Sequence, residues 1–149
     1  MSLTSIEEER ALYRRAIFDG TPIPLFIVDE DLRIIDFNTA AEEMLGPESV
    51  IALNWPCGVA FHCVHAEPTE CGKDEACHAC AIRTSVYTAA SGEPVRRKMH
   101  IAKFRTPNRT VTQEFLISAT LLPFTETPEV LVALEDISSI GASRKARKG

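Results

Sequence analysis

The sequence predicts an α+β fold: a five-stranded antiparallel sheet, helices covering one of its faces, and a flanking helix at the N-terminus. Three observations predict it. Two short apolar runs, Pro24–Val28 and Arg33–Phe37, flank the acidic turn Asp29-Glu30-Asp31, which is the pattern of a tight hairpin. Helical signals then fill the middle of the chain. The last third holds three segments that mostly alternate apolar and polar residues with period two, as a sheet with one covered face requires. Two strands before the helices and three after them complete one sheet.

Each element has its own signals. Ser5 and Glu8 fit a capping box that opens a helix over about 5–19, with Glu7, Glu8 and Glu9 in its first turn and Arg14 and Arg15 near its end. Gly20 is expected at the C′ position. Ile6, Tyr13 and Ile17, with Leu12 and Ala16, form an apolar stripe that packs either on its own domain or on a second copy. Asn38 is the expected N-cap of a short helix, Thr39 to Leu45, stopped by Gly46-Pro47. A further helical turn is expected over Glu48 to Leu53, and a longer helix over Asp74 to Ser91, ended by Gly92. The strands follow at Val95 to Phe104, Thr110 to Leu122 and Val130 to Asp136. On the first of them the apolar residues are Val95, Met99, Ile101 and Phe104.

Length and composition set the frame. The 149 residues suit one domain, and 45% apolar with 25% charged residues excludes a disordered chain. A net charge of −5 argues against a nucleic-acid surface. No apolar run approaches the roughly 20 residues of a membrane helix. The acidic start, Met1 to Arg10, has no signal-peptide core, so a cytoplasmic location is expected. The basic tail Arg144–Lys148 reads as a solvated end or the start of a linker.

All five cysteines lie between Cys57 and Cys80, together with His62, His65 and His78. Concentration in one segment favours a metal or redox site over a disulfide scaffold. Cys77-x-x-Cys80 opens the expected long helix, where residues three apart share a face. A helix N-terminus also favours the thiolate form that binds metal. Cys71-Gly72 sits on a turn six positions before Cys77, and Cys63 lies beyond the Pro68 loop. The expected ligand set is therefore Cys63, Cys71, Cys77 and Cys80, suited to tetrahedral zinc or an iron–sulfur cluster. His62, His65 and Cys57 are weaker candidates, and His100 reads as a sheet residue. A dithiol switch and incidental core cysteines are the competing readings. No Ser/His/Asp order, phosphate loop or carboxylate pair stands out, so no catalytic activity is expected.

The run Pro24-Leu25-Phe26-Ile27-Val28-Asp29-Glu30-Asp31, followed by Leu32–Phe37 and then Asn38-Thr39-Ala40-Ala41-Glu42-Glu43-Met44-Leu45-Gly46, resembles the opening of a PAS domain. The exit Leu134-Glu135-Asp136-Ile137-Ser138 resembles that family's last strand. The resemblance divides the chain into an N-terminal amphipathic helix (1–19), a PAS-like sensory domain (20–139) with a Cys-rich segment (57–80), and a basic tail or linker (140–149). It implies a sensory module of a bacterial signal-transduction protein, joined to an output domain or partner and dimerising through its N-terminal helix. The cysteine spacing resembles a PAS subgroup whose Cys-x-x-Cys enters the long helix; some cysteine-bearing PAS sensors hold an iron–sulfur cluster, usually on two separated Cys-x-x-Cys pairs, whereas this sequence has one such pair. The flavin-binding subgroup's Asn-Cys-Arg-Phe-Leu motif is not matched by Asn54-Trp55-Pro56-Cys57-Gly58, so no flavin is expected. Two other readings accompany the sensor: a zinc-pinned docking module, and a PAS pocket for a small organic ligand.

Overall fold

The computed structural model describes residues 3–46, 53, 80–105, 108–123 and 126–138. The described elements run in the order α1 (Leu3–Gly20), β1 (Leu25–Asp29), β2 (Ile34–Phe37), α2 (Thr39–Leu45), α3 (Ala81–Ala90), β3 (Val95–Arg105), β4 (Thr110–Leu122) and β5 (Glu129–Asp136). The five strands form one sheet in the order β2-β1-β5-β4-β3, with every neighbouring pair antiparallel. The strand after the last hairpin thus lands beside the first strand and closes the two halves of the chain into one sheet. The α+β expectation holds. The expected turn over Glu48 to Leu53 and the first part of the expected long helix, 74–79, lie outside the described residues, apart from Leu53.

Period-two patterning builds the core. Phe26 and Val28 of β1, Phe115, Ile117 and Ala119 of β4, and Val130, Val132 and Leu134 of β5 are all buried on one face. Ala41 and Leu45 of α2, and Ala81, Ile82, Val86 and Ala89 of α3, cover that face. α3 lies against β3, β4 and β5, and α2 against β1.

Three local expectations are corrected. First, α1 begins at Leu3, so Ser5 and Glu8 lie inside the helix and not at its start, and neither terminal turn carries the expected charges. Second, Gly20 is the last helical residue and not a left-handed C′ cap: the positive-φ glycines among the described residues are Gly46 and Gly92. The Thr21 amide continues the helical pattern by donating to the Ile17 carbonyl at 3.1 Å. Third, β3 carries a bulge between Val95 and Lys98, with Arg97 at a φ of 51°. A bulge shifts the side-chain alternation by one residue. Ala102 therefore faces the core, while Met99 and Ile101 stay 53% and 58% exposed on the opposite face.

Candidate functional site

α2 and α3 enter the fold through different caps. Asn38 is extended at the start of α2, and its Oδ1 accepts the Ala41 amide at 2.9 Å. The same oxygen accepts the Leu25 amide at 2.9 Å. Its Nδ2 donates to the carbonyls of Phe18 at 2.9 Å, Ile23 at 3.0 Å and Thr21 at 3.3 Å. One buried amide thus ties the end of α1, the start of β1 and the first turn of α2. The sequence marked Asn38 as a cap; its hold on α1 depends on tertiary contacts that no local pattern signals. Arg15 adds an exposed link from α1 to β2 through Asp36 at 2.8 Å, and bonds Asp19 at 2.8 Å.

Of the expected metal ligands, Cys80 falls within the described residues. Cys63, Cys71 and Cys77, and the weaker candidates His62, His65 and Cys57, lie outside them, as does His78. Cys80 is the N-cap of α3, with φ −61° and ψ 123°. Its carbonyl accepts the Thr84 amide at 2.9 Å. The same-face argument for Cys77 and Cys80 is therefore corrected at Cys80: the residue is extended and stands just before the helix. Its side chain makes no capping hydrogen bond. The sulfur is half-buried against the hydrophobic core. Among the described residues, no group of three His, Cys, Asp or Glu side chains comes together as a metal site.

Behind Cys80, α3 buries Ala81, Ile82, Ser85, Val86 and Ala89. Ser85 Oγ is buried without a hydrogen-bond partner among the described residues. Neighbouring Thr84 accepts a bond from Lys98 Nζ of β3 at 3.5 Å. His100 is a strand residue, as expected, paired across to Phe115 and half-buried. Burial holds its imidazole below the ordinary histidine pKa, and the charge of Lys98 adds to that effect. The folded state thus favours neutral His100. Its contribution to stability is full above about pH 6.5, the unfolded value, and falls as pH drops toward the lower folded value. Unfolding free energies measured across that range should decline less steeply for His100→Gln than for the parent chain. Equal slopes would show that the burial of His100 has no such effect.

The exit from β5 is anchored to β4. The Ile137 amide donates to the Glu114 carbonyl at 2.9 Å, and the Glu114 amide donates to Ser138 Oγ at 2.9 Å. Asp136 Oδ1 accepts the Ser138 amide at 2.9 Å. The residues Asp136-Ile137-Ser138 thus leave the sheet in a fixed direction.

A family model described as a PAS domain matches residues 11–79. The structure is similar to the PAS domain of an HTR-like protein from Haloarcula marismortui, with a TM-score of 0.58 at 16% identity, covering 90% of this chain and 97% of that one. It is also similar to a PAS domain from a two-component sensor histidine kinase, with a TM-score of 0.58 at 11% identity, covering 87% and 98%. The PAS domain of nitrogen regulation protein NR(II) from Vibrio parahaemolyticus gives 0.56 at 17% identity, covering 83% and 97%. A search of the curated proteins finds no match. The helix–hairpin opening, the sheet order and these matches define the PAS fold. Residues 11–79 match the PAS family model, and the whole sheet has the fold of PAS domains.

Proposed function

We propose that this PAS domain senses redox state, oxygen or metal through a site formed by Cys63, Cys71, Cys77 and Cys80, and relays the state to an output domain or partner of a bacterial signalling protein. The observation that carries the reading is the place of Cys80, a half-buried sulfur at the N-cap of α3 that is not used to cap it. Four thiolates suit zinc or an iron–sulfur cluster, which would supply a redox- or oxygen-sensitive anchor for the segment. Cys80 would hold one position of that anchor and fix the first turn of α3. Release of the sulfur frees that turn, whose Ala81 and Ile82 pack on the core, and α3 passes the change to β3, β4 and β5. β5 leads to the anchored exit at Asp136–Ser138, the natural departure point for an output segment. The module works in the cytoplasm as a homodimer held by α1, and has no catalysis of its own.

The test is purification without oxygen, followed by iron, sulfide and zinc analysis and a visible spectrum on one sample. The parent chain should hold metal in near-stoichiometric amount, and the Cys77→Ser/Cys80→Ser double variant should lose it. Absorption near about 400 nm that bleaches in air marks an iron–sulfur sensor. Colourless zinc protein indifferent to air marks a structural pin. Equal metal content in parent and variant would rule out the shared site.

A second reading rests on Ser85, a buried hydroxyl without a partner among the described residues, on the helix face that meets the sheet. Buried polar groups usually find a partner, and a small organic ligand held between α3 and the sheet would supply one. Metal-free protein that retains a small molecule, and loses it in Ser85→Ala, would favour this reading.

A further inference from the structure

The sheet ends in two edges of different kinds. β2 has four residues, and its Asp36 is engaged by Arg15 of α1. β3 has 11, and among the described residues no strand lies on its far side. Past the bulge it pairs with β4 in unbroken register from Lys98 to Arg105. Its far side therefore presents a regular row of backbone N–H and C=O groups.

The charged side chains along that edge have one sign. Five of the chain's 16 Lys and Arg residues stand in β3, and none of its 21 Asp and Glu. Arg96, Lys98 and Lys103 are exposed, and among the described residues neither Arg96 nor Lys103 has an ion-pair partner. Between these cations, Met99 and Ile101 are exposed on the outer face, level with Leu116 and Glu114 of β4. Natural edges are often closed to other chains by a charge or a bulge. Here the bulge interrupts the start of the strand alone, and the cations repel some strands and attract others. A second copy pairing β3 with β3 would set five cations against five, and like charges directly across a strand pair are destabilising. A strand that carries acids meets the opposite case. A phosphate surface would use the charges and leave the row of backbone groups unpaired, and the chain's charge of −5 is against nucleic acid.

We propose that the free edge of β3 takes up an extended acidic segment of a partner protein as a sixth, antiparallel strand. Main-chain hydrogen bonds supply the attachment, and side chains directly across supply the selection. One acid of the segment lies level with Lys103, apolar residues lie level with Ile101 and Met99, and acids at the far end meet Lys98 and Arg96. The seven-residue peptide Glu-Thr-Val-Thr-Ile-Glu-Asp has this pattern when its first residue is set opposite Lys103. The cysteines take no part, so the proposal stands apart from the metal reading.

Anisotropy of that peptide, labelled and titrated with the full chain under reductant, tests it. Binding should saturate and weaken as salt rises. The Arg96→Glu/Lys103→Glu double variant, shown to be folded by circular dichroism, should raise the dissociation constant by about tenfold. A peptide with Lys in place of its three acids should recover binding to that variant. In an added strand, alternate amides face β3. Methylation of the Val amide or of the amide of the Thr that follows it should therefore abolish binding in one peptide and leave it in the other. Absence of saturable binding overturns the proposal. So does equal binding of both methylated peptides, which would reduce the contact to charge alone. Vesicles rich in phosphatidylserine that bind the parent chain in place of the peptide would make β3 a membrane contact. Sedimentation showing a dimer broken by Ile101→Glu would seat a second copy on the edge. Either result also overturns the acidic partner.

Discussion

Asn38→Ala is expected to lower the unfolding free energy by about 3 kcal/mol, because the change strands buried groups that water does not reach. Asn38 is 1% exposed, and its side chain serves the amides of Leu25 and Ala41 and the carbonyls of Phe18, Thr21 and Ile23. Loss of the cap alone costs about 1 kcal/mol. The orphaned Leu25 amide and the carbonyls of Phe18, Thr21 and Ile23 account for the rest. Against a total stability of about 5–15 kcal/mol, that loss is large. Urea unfolding of both proteins measures it. Hydrogen exchange locates it: the amides of Leu25 and Ala41 should lose protection in the alanine variant. Asn38→Asp keeps the acceptor for both amides but sets a carboxylate against the three carbonyls. Its damage should therefore fall on the α1 junction, with Leu25 and Ala41 still protected. An alanine variant within about 1 kcal/mol of the parent would show that the hub does not hold the junction.

Where local chemistry decides an element, the sequence reads it well. The Asn cap and the glycine stop bound α2 at Thr39 and Leu45, as expected. The alternation of apolar and polar residues places β4 at Thr110 to Leu122, as expected. The misreadings fall where a distant contact outvotes a local signal. Arg97 at positive φ shifts the alternation in β3, and its amide bonds Ser118 Oγ at 3.1 Å from the neighbouring strand. No spacing rule anticipates that contact, so Met99 and Ile101 read as covered when they are exposed. Asn38 reads as a cap because a cap is local, and its bonds to the carbonyls of Phe18, Thr21 and Ile23 are not.

The candidate metal site divides the same way. Clustering of the cysteines is visible in composition, because ligands for one ion are often supplied by a short segment. Convergence of four sulfurs is a property of the backbone path between them, and spacing fixes reach without fixing path. Cys80 illustrates the difference. Its three-residue interval from Cys77 suggested a shared helix face, yet its extended backbone places it before the helix, with the sulfur against the core. That position is better suited to coupling a site to α3 than a helical surface position, since the N-cap controls the first turn.

Leu32 should answer truncation in an unusual order: Leu32→Ala costing about 3 kcal/mol, and Leu32→Gly costing no more. The side chain is 1% exposed within the core, so removal of its branched end leaves a cavity. The backbone, however, sits at a φ of 62°. Left-handed backbone costs a residue with a side chain roughly 1 kcal/mol that glycine escapes. The chain accepts that strain because the turn is fixed on both sides. The Leu32 amide donates to the Asp29 carbonyl at 3.0 Å, and Asp29 Oδ1 accepts the amides of Asp31 and Arg33 at 2.9 Å each. In an ordinary strand or helix interior glycine is worse than alanine by about 0.5–1 kcal/mol, so equality or reversal at position 32 isolates the strain. Parallel urea unfolding of the two variants makes the comparison, and glycine falling about 1 kcal/mol below alanine would remove strain from the account. The hairpin carries Asp36 on its second strand, and Asp36 holds Arg15 of α1. A turn that keeps its geometry in Leu32→Gly should therefore keep that link, and with it the angle at which α1 leaves the domain.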